Sequence, residues 1–357
     1  MPTNKRQSKK EIKDKDKRVI MKRVSLKDIA KRVGVSTALV SYVMNGKGKR
    51  NRVSDELSKK IKQVAEELNY QPNEIVRSLR SGSTKTIGLI VADIANPFFG
   101  QLARCIENEA IKFGYIVIIG SSDEEVEKSE LLINTFINRQ VDGFIIAPAE
   151  GTVEQINTIL QKNIPLILID RYFTEINTSY VILDNYQSTY DATLHLLKKG
   201  FKKIAIFAYK ISLIHMKERI RGYLEAMKTF NLTDNSRVIE INLINSKTEI
   251  ENACMNLLID KKEIDAVIFA TNLLSVAGLS CIHKSNIKIP DDLAFIGFDG
   301  GDCFDLFYSP ITYVKQPIEE MAKESVKTLM DYLVVPELTK ITHIILKSNL
   351  IVRNSSG

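Results

Sequence analysis

From Leu26 to Tyr70 the apolar residues recur every three or four positions. Leu26, Ile29, Ala30 and Val33 fall at i, i+3, i+4 and i+7, which places them on one face of a helix. Ser25 stands where a cap is needed, and Gly34 follows as a stop. Ser36 opens a second short helix carrying Leu39, Val40 and Val43, which ends near Asn45-Gly46. A basic loop from Lys47 to Arg52 leads to a third helix, opened by Ser54 and carrying Leu57, Ile61, Val64, Ala65 and Leu68. Pro72 stops it, Asn73–Leu79 reads as one more short helix, and Ser81-Gly82-Ser83-Thr84 reads as a linker. From Thr86 the period changes. Continuous apolar runs at Ile87–Val91, Ile116–Ile119, Gly143–Ala147, Leu166–Ile169, Ile204–Phe207, Ala266–Ala270 and Leu293–Gly297 alternate with helical stretches. Strands buried on both faces and separated by helices predict parallel sheets, and the length suffices for two α/β lobes.

Charge divides the chain at the same place. Residues 1–82 hold 22 Lys and Arg against 9 Asp and Glu, a net of +13; the rest holds 28 against 34, a net of −6. A basic head on an acidic body directs only the head toward a polyanion. Residues 1–23 are charged and lack apolar periodicity, which predicts a disordered basic tail, and Met21 is an alternative start. No apolar h-region or membrane-length run is present, so a cytoplasmic protein without a secretory leader is expected. Cys105, Cys254, Cys281 and Cys303 form no C-x-x-C pair and no zinc spacing, so reduced thiols are expected, with no metal and no cofactor.

The two short helices joined by Val33-Gly34-Val35-Ser36 make a helix-turn-helix signature, whose second helix would enter the DNA major groove. Around it stand Val24-Ser25-Leu26-Lys27-Asp28-Ile29-Ala30, Gly34-Val35-Ser36, Val40-Ser41, Asn45-Gly46 and Val53-Ser54. Leu68-Asn69-Tyr70-Gln71-Pro72-Asn73, Arg77-Ser78-Leu79-Arg80 and the closing Leu350-Ile351-Val352-Arg353-Asn354-Ser355 continue the series. Through these motifs the chain after residue 22 resembles the LacI/GalR family of bacterial repressors. The resemblance implies an all-α helix-turn-helix head and an α/β, periplasmic-binding-protein-like body of two lobes with parallel sheets. The expected division is a tail over 1–23, the DNA-binding domain over 24–72, a hinge over 73–84 and an effector-binding, dimerising body over 85–357. It further implies that Thr37, Ala38 and Tyr42 read bases, that Ser36, Ser41 and Asn45 hold phosphates, and that Asn73–Leu79 is a hinge helix whose Leu79 wedges into the minor groove. Tyr42 departs from the usual Arg, so the family's half-site does not transfer.

In a two-lobed body a ligand sits in the cleft at the strand C-terminal ends. Asn96-Pro97-Phe98-Phe99, Asp170-Arg171, Asn272 and Asp299 each follow an expected strand. Aromatic faces with Asp, Asn and Arg suit a polyol or sugar, whose hydroxyls donate and accept, and they suit a purine as well. The resemblance aligns Phe98, Phe99, His215, Arg219, Asn272 and Asp299 with effector contacts, joined by Asp170 and Gln316. Asp123 lies at a further strand end. Leu273 stands where the family commonly has Asp. The expected partners are a pseudo-palindromic double-stranded operator, a second copy of the chain and a small effector, with a sugar favoured over a purine or nucleoside corepressor. No tetramerising zipper is expected after Arg353-Asn354. The sequence does not distinguish induction from corepression. A binding protein alone would lack the helix-turn-helix, and no Walker loop, paired catalytic carboxylates or G-x-S-x-G elbow supports an enzyme.

Overall fold

The computed structural model describes residues 24–71, 82–243, 246–256, 263–334 and 340–357. The tail over 1–23, the hinge residues Asn73 and Leu79 and the stop at Pro72 lie outside the described residues. Two compact units divide at Gly82 and Ser83.

The head is built from α1 (Leu26–Val33), α2 (Thr37–Met44) and α3 (Asp55–Glu67). The Ser25 backbone N–H and hydroxyl both donate to the Asp28 carboxylate, at 2.9 and 2.6 Å. Gly34 closes α1 at φ 80°, a left-handed conformation natural to glycine, and returns its N–H to the Ala30 carbonyl at 2.9 Å. The Ser36 and Ser54 hydroxyls cap α2 and α3 by accepting the Leu39 and Leu57 N–H groups. The apolar faces meet in a small core of Ile29, Ala30, Val40, Val43, Val53, Ile61, Val64 and Ala65.

The body holds two six-stranded sheets. In the first lobe β1 (Thr86–Val91), β2 (Ile116–Ser121), β3 (Gly143–Ile146), β4 (Leu166–Ile169), β5 (Ser179–Leu183) and β11 (His343–Leu346) stand in the order β11-β5-β4-β3-β1-β2. In the second lobe β6 (Ile204–Tyr209), β7 (Arg237–Ile241), β8 (Ala266–Phe269), β9 (Ala294–Phe298), β10 (Thr312–Lys315) and β12 (Asn349–Ile351) stand in the order β12-β10-β9-β8-β6-β7. Every pairing is parallel except β10 with β12. The helices covering the sheets are α4 (Pro97–Lys112), α5 (Val126–Asn138), α6 (Val153–Gln161), α7 (Asn185–Lys198), α8 (Ile214–Thr229), α9 (Ser246–Cys254), α10 (Asn272–His283), α11 (Asp302–Leu306) and α12 (Ile318–Val334).

The chain crosses between lobes three times: after β5, between β10 and α12, and between β11 and β12. Helix α12 therefore returns its Ile318, Met321, Ala322, Val326, Leu329 and Met330 to the core of the first lobe. All seven apolar runs form strands; Leu166–Ile169 coincides with its strand and the others differ at one or both ends by one or two residues. β5, β7, β10, β11 and β12 escape the sequence pattern because they are short and polar at their ends, and β7, β11 and β12 are edge strands with exposed residues.

Ser83 and Thr84, assigned to the linker from sequence, are fixed to the body. The Asp142 carboxylate accepts the Ser83 hydroxyl, the Thr84 N–H at 2.7 Å and hydroxyl at 2.8 Å, and the Lys85 N–H at 3.0 Å. Among the described residues no helix is long and apolar enough to cross a membrane.

Candidate functional site

On α2, Val40 and Val43 turn into the core while Thr37, Ala38 and Tyr42 face outward, with Tyr42 42% exposed. Ala38 and Tyr42 are one helical turn apart and stack along one side. The Asn45 side-chain amide donates to the Ser41 carbonyl at 2.7 Å and hydroxyl at 3.2 Å, so these two residues form one polar corner at the end of α2. Lys47, Lys49, Arg50 and Arg52 follow immediately and are exposed. A protruding helix with a polar outer face, a capped N-terminus and four adjacent cations can meet bases and phosphates together.

A cavity of about 640 Å³ opens in the body. The first lobe supplies the Asp93–Asn96 loop after β1, Phe99 of α4, Ser121 at the end of β2 with Asp123 and Glu124 after it, Lys128 of α5 and Arg171 after β4. The second lobe supplies Tyr209 and Ile211 after β6, His215 and Met216 of α8, Leu243 after β7, and Thr271 and Leu273 at the start of α10. These are the carboxyl ends of parallel strands, the place where such sheets leave a crevice.

Of the ten body positions expected from sequence, Phe99, Asp123, Arg171 and His215 line the cavity. Phe98 instead packs edge-on against Phe99, ring centroids 4.9 Å apart, inside the first core. Asp170, Arg219, Asn272, Asp299 and Gln316 are buried or nearly so and are not among the residues that line it. Arg219 donates from Nε to Asn185 Oδ1 at 2.7 Å and from Nη1 to the Ala270 carbonyl at 2.5 Å, and its guanidinium lies 3.9 Å from the Phe298 ring centroid. Gln316 donates to Asp299 Oδ1 at 2.6 Å, and Asn272 donates to the Gly300 carbonyl at 2.6 Å.

Burial raises the Asp299 carboxyl to about 6 although Arg219 and the Gln316 bond pull it down. Burial also raises Asp170, against the attraction of Arg171 and Arg219. His215 is held well below its ordinary value by burial and by the like charge of Arg171 and Arg219, so its imidazole is neutral. Its buried Nδ1 has no partner, and neither has Gln316 Oε1. Asp123 stays low because it accepts hydrogen bonds from Lys128 and Ser121.

Two residues of this region were not singled out from sequence. Glu124 shares the Ser-Ser-Asp-Glu-Glu run with Asp123, and both adopt left-handed backbone, φ 60° and 53°. It grips Arg171 with both oxygens at 2.8 Å. Asn185 follows Asp184 at the start of α7. Asp184 does cap α7, accepting the Gln187 N–H at 3.0 Å, but Asn185 orients Arg219. Only a strand end at Leu183 would have flagged it, and β5 was not anticipated.

Residues 25–73 match the family model of bacterial regulatory proteins of the lacI family, and residues 84–349 match the model of periplasmic binding proteins and the sugar-binding domain of the LacI family. The HTH-type transcriptional repressor PurR of Aliivibrio fischeri is 30% identical over 316 residues, covering 86% of this chain and 91% of that protein. The ribose operon repressor of Halalkalibacterium halodurans is 31% identical, covering 86% and 89%. Among solved structures, a LacI family transcriptional regulator from Enterococcus faecium with bound ribose is 28% identical at a TM-score of 0.68, covering 76% of this chain and 98% of that one. The lac repressor dimer bound to operator and the anti-inducer ONPF shares the fold at a TM-score of 0.81 and 21% identity, covering 94% and 99%. Both halves of the chain are thus matched in order, and the chain belongs to the LacI family of bacterial transcription regulators.

Proposed function

We propose that this regulator is a repressor that binds a pseudo-palindromic operator as a homodimer in the cytoplasm and answers to a small uncharged sugar held in the body cavity. The observation that carries this reading is the cavity itself, walled by both lobes at their strand ends. A ligand touching both walls favours one lobe arrangement over another, and only such differential affinity can shift the DNA-binding state. In this reading Thr37, Ala38 and Tyr42 read bases, and Ser36, Ser41 and Asn45 with the following basic loop hold phosphates. Asn73 and Leu79 would complete the DNA contacts. Phe99, Asp123, Arg171 and His215 touch the effector, while Asp170, Arg219, Asn272, Asp299 and Gln316 set the wall behind them. Two heads are needed because one helix reads too few bases for genomic selectivity.

The ribose named for one relative and one solved structure supports a sugar. The PurR relative supports a purine as the second reading. Selection of operator sites from random duplex DNA, followed by band-shift assays with sugars and purine bases, tests both. A symmetric site whose occupancy changes with one sugar is the expected result. Binding without sequence preference would overturn the regulator reading, and a response to a purine base alone would replace the sugar.

A further inference from the structure

Every cation that lines the cavity already carries a carboxylate. Arg171 is held by both oxygens of Glu124 at 2.8 Å, and its Nε lies 3.3 Å from Asp170. Lys128 is paired with Asp123. Asp93, the third acidic residue of the wall, accepts the Ala95 N–H at 2.8 Å. The lining therefore holds Asp93, Asp123 and Glu124 against Lys128 and Arg171, a surplus of one negative charge beside a neutral His215. Among the described residues that line the cavity, an incoming phosphate would find no unpaired cation, and the surplus would repel it. A hydroxyl-bearing ligand meets a different surface. The carboxylate oxygens accept from it, and the buried, unpartnered Nδ1 of His215 offers a further hydrogen-bonding position.

The backbone shows that this pairing is built. Asp123 and Glu124 both sit in left-handed conformation, which costs a non-glycine residue about 1 kcal/mol or more and persists where surroundings impose it. The turn brings the Glu124 carboxylate onto a guanidinium that is itself buried.

We propose that Glu124 is a specificity-determining residue: by neutralising Arg171 in the cavity wall it makes the site accept an uncharged, hydroxyl-bearing effector and reject its phosphorylated form. The inference rests on the cavity being the effector site. With Glu124 uncharged, Arg171 keeps a single carboxylate, Asp170, 3.3 Å from its Nε, and its two Nη groups, which Glu124 otherwise holds, become the anion anchor that the site lacks.

Calorimetry on the full chain tests this with D-ribose, D-ribose 5-phosphate and inorganic phosphate as probes. Wild type is expected to bind neither phosphate nor the phosphosugar measurably. Glu124→Gln keeps the size of the side chain and one acceptor for Arg171, and Glu124→Ala removes both; each is expected to bind both anions about tenfold or more tightly than wild type does. Arg171→Met placed in the Glu124→Gln background is expected to remove the gain. Wild type binding ribose 5-phosphate as tightly as any neutral sugar overturns the proposal without recourse to a variant. So does an absence of gain in Glu124→Gln that keeps a folded circular-dichroism spectrum. If anions gain but no neutral sugar or base competes with them, the charge gate stands and the sugar reading falls. If neutral sugars bind both proteins and anions bind neither, the gate falls and the sugar reading stands.

Discussion

The head and the body place their working chemistry on opposite sides of their cores. In the head, eight buried apolar residues hold three short helices, and the groups that can meet DNA all face outward. In the body, the polar groups around the cavity are mostly buried, and their partners are far apart in sequence. Arg171 and Glu124 are 47 residues apart, Arg219 and Asn185 34, and Arg219 and Ala270 51. A surface site needs a scaffold and tolerates change at its tips. A buried polar site is itself scaffold, because each unsatisfied member carries a desolvation penalty. Function and stability are therefore separable in the head and entangled in the body.

The largest effect that sharpens this contrast is expected from Arg219→Ala. It removes the buried donor to Asn185 Oδ1 and the Ala270 carbonyl and a cation that favours the buried Asp299 and Asp170 carboxylates, of which Asp170 keeps Arg171; removal of one partner from a buried charged set costs about 3–5 kcal/mol. Denaturant unfolding of the body measures it, with the response to effector lost in parallel. A loss under about 1 kcal/mol, the range of exposed pairs, would show that the network is not structural and would erase the contrast. Next comes Ile61→Ala, which opens a cavity in the head at a fully buried position for about 2–5 kcal/mol. So small a unit has little stability to lose, so operator binding should disappear while calorimetric effector binding stays. Retained operator affinity would mean that the head draws its stability from elsewhere.

A smaller effect concerns protons. The folded His215 has its affinity for a proton depressed, so below its unfolded value of 6.5 the unfolded chain binds more protons than the native one. Its contribution is therefore fully present above that value and is lost as pH falls, by about 1.4 kcal/mol per pH unit. Asp299, raised to about 6, acts in the opposite sense between that value and the ordinary carboxylate range. The difference between wild type and His215→Gln isolates the histidine. Stability curves of the two proteins should converge toward acid pH from 6.5 downward, and parallel curves would show that His215 is not held neutral.

How much of each region was legible follows from the same contrast. Helix period, capping serines and Gly34 are local signals, and the three helices, their caps and the outward face of α2 could be read directly. Six of the seven strands read from sequence are interior and buried on both faces, which writes an unbroken apolar run; the seventh, β2, lies at a sheet edge and was legible from the run Ile116–Ile119 alone. The edge strands β7, β11 and β12 and the interior strands β5 and β10 were not read, and with β5 unseen the position of Asn185 at a strand end was invisible. Asp123 was chosen from Ser-Ser-Asp-Glu-Glu because it stands nearest the expected strand end. The sequence does not reveal that the turn there is left-handed twice, which is what delivers Glu124 to Arg171. Arg219, Asn272 and Asp299 were expected as effector contacts and are not among the residues that line the cavity; their side chains are held by bonds to Ala270, Gly300 and Gln316 that no spacing encodes.

The smallest expected effect on stability, and the one that most directly tests the outward-facing chemistry, is at Tyr42. Its side chain is 42% exposed and its neighbours in the core are Val40 and Val43, which the substitution does not touch. Tyr42→Arg should leave head stability within about 0.5 kcal/mol, as for other surface changes. The guanidinium can donate two parallel hydrogen bonds to guanine, whereas the phenol has a single hydroxyl, so the preferred half-site should gain a guanine opposite this position. Each such bidentate contact discriminates by about 1–3 kcal/mol, well above the stability change. Site selection from random duplexes with both proteins reads the preference, and thermal unfolding reads the stability. An unchanged half-site would remove Tyr42 from base reading. A destabilisation comparable to that of Ile61→Ala would instead make it a core residue, and the separation of function from scaffold in the head would fail.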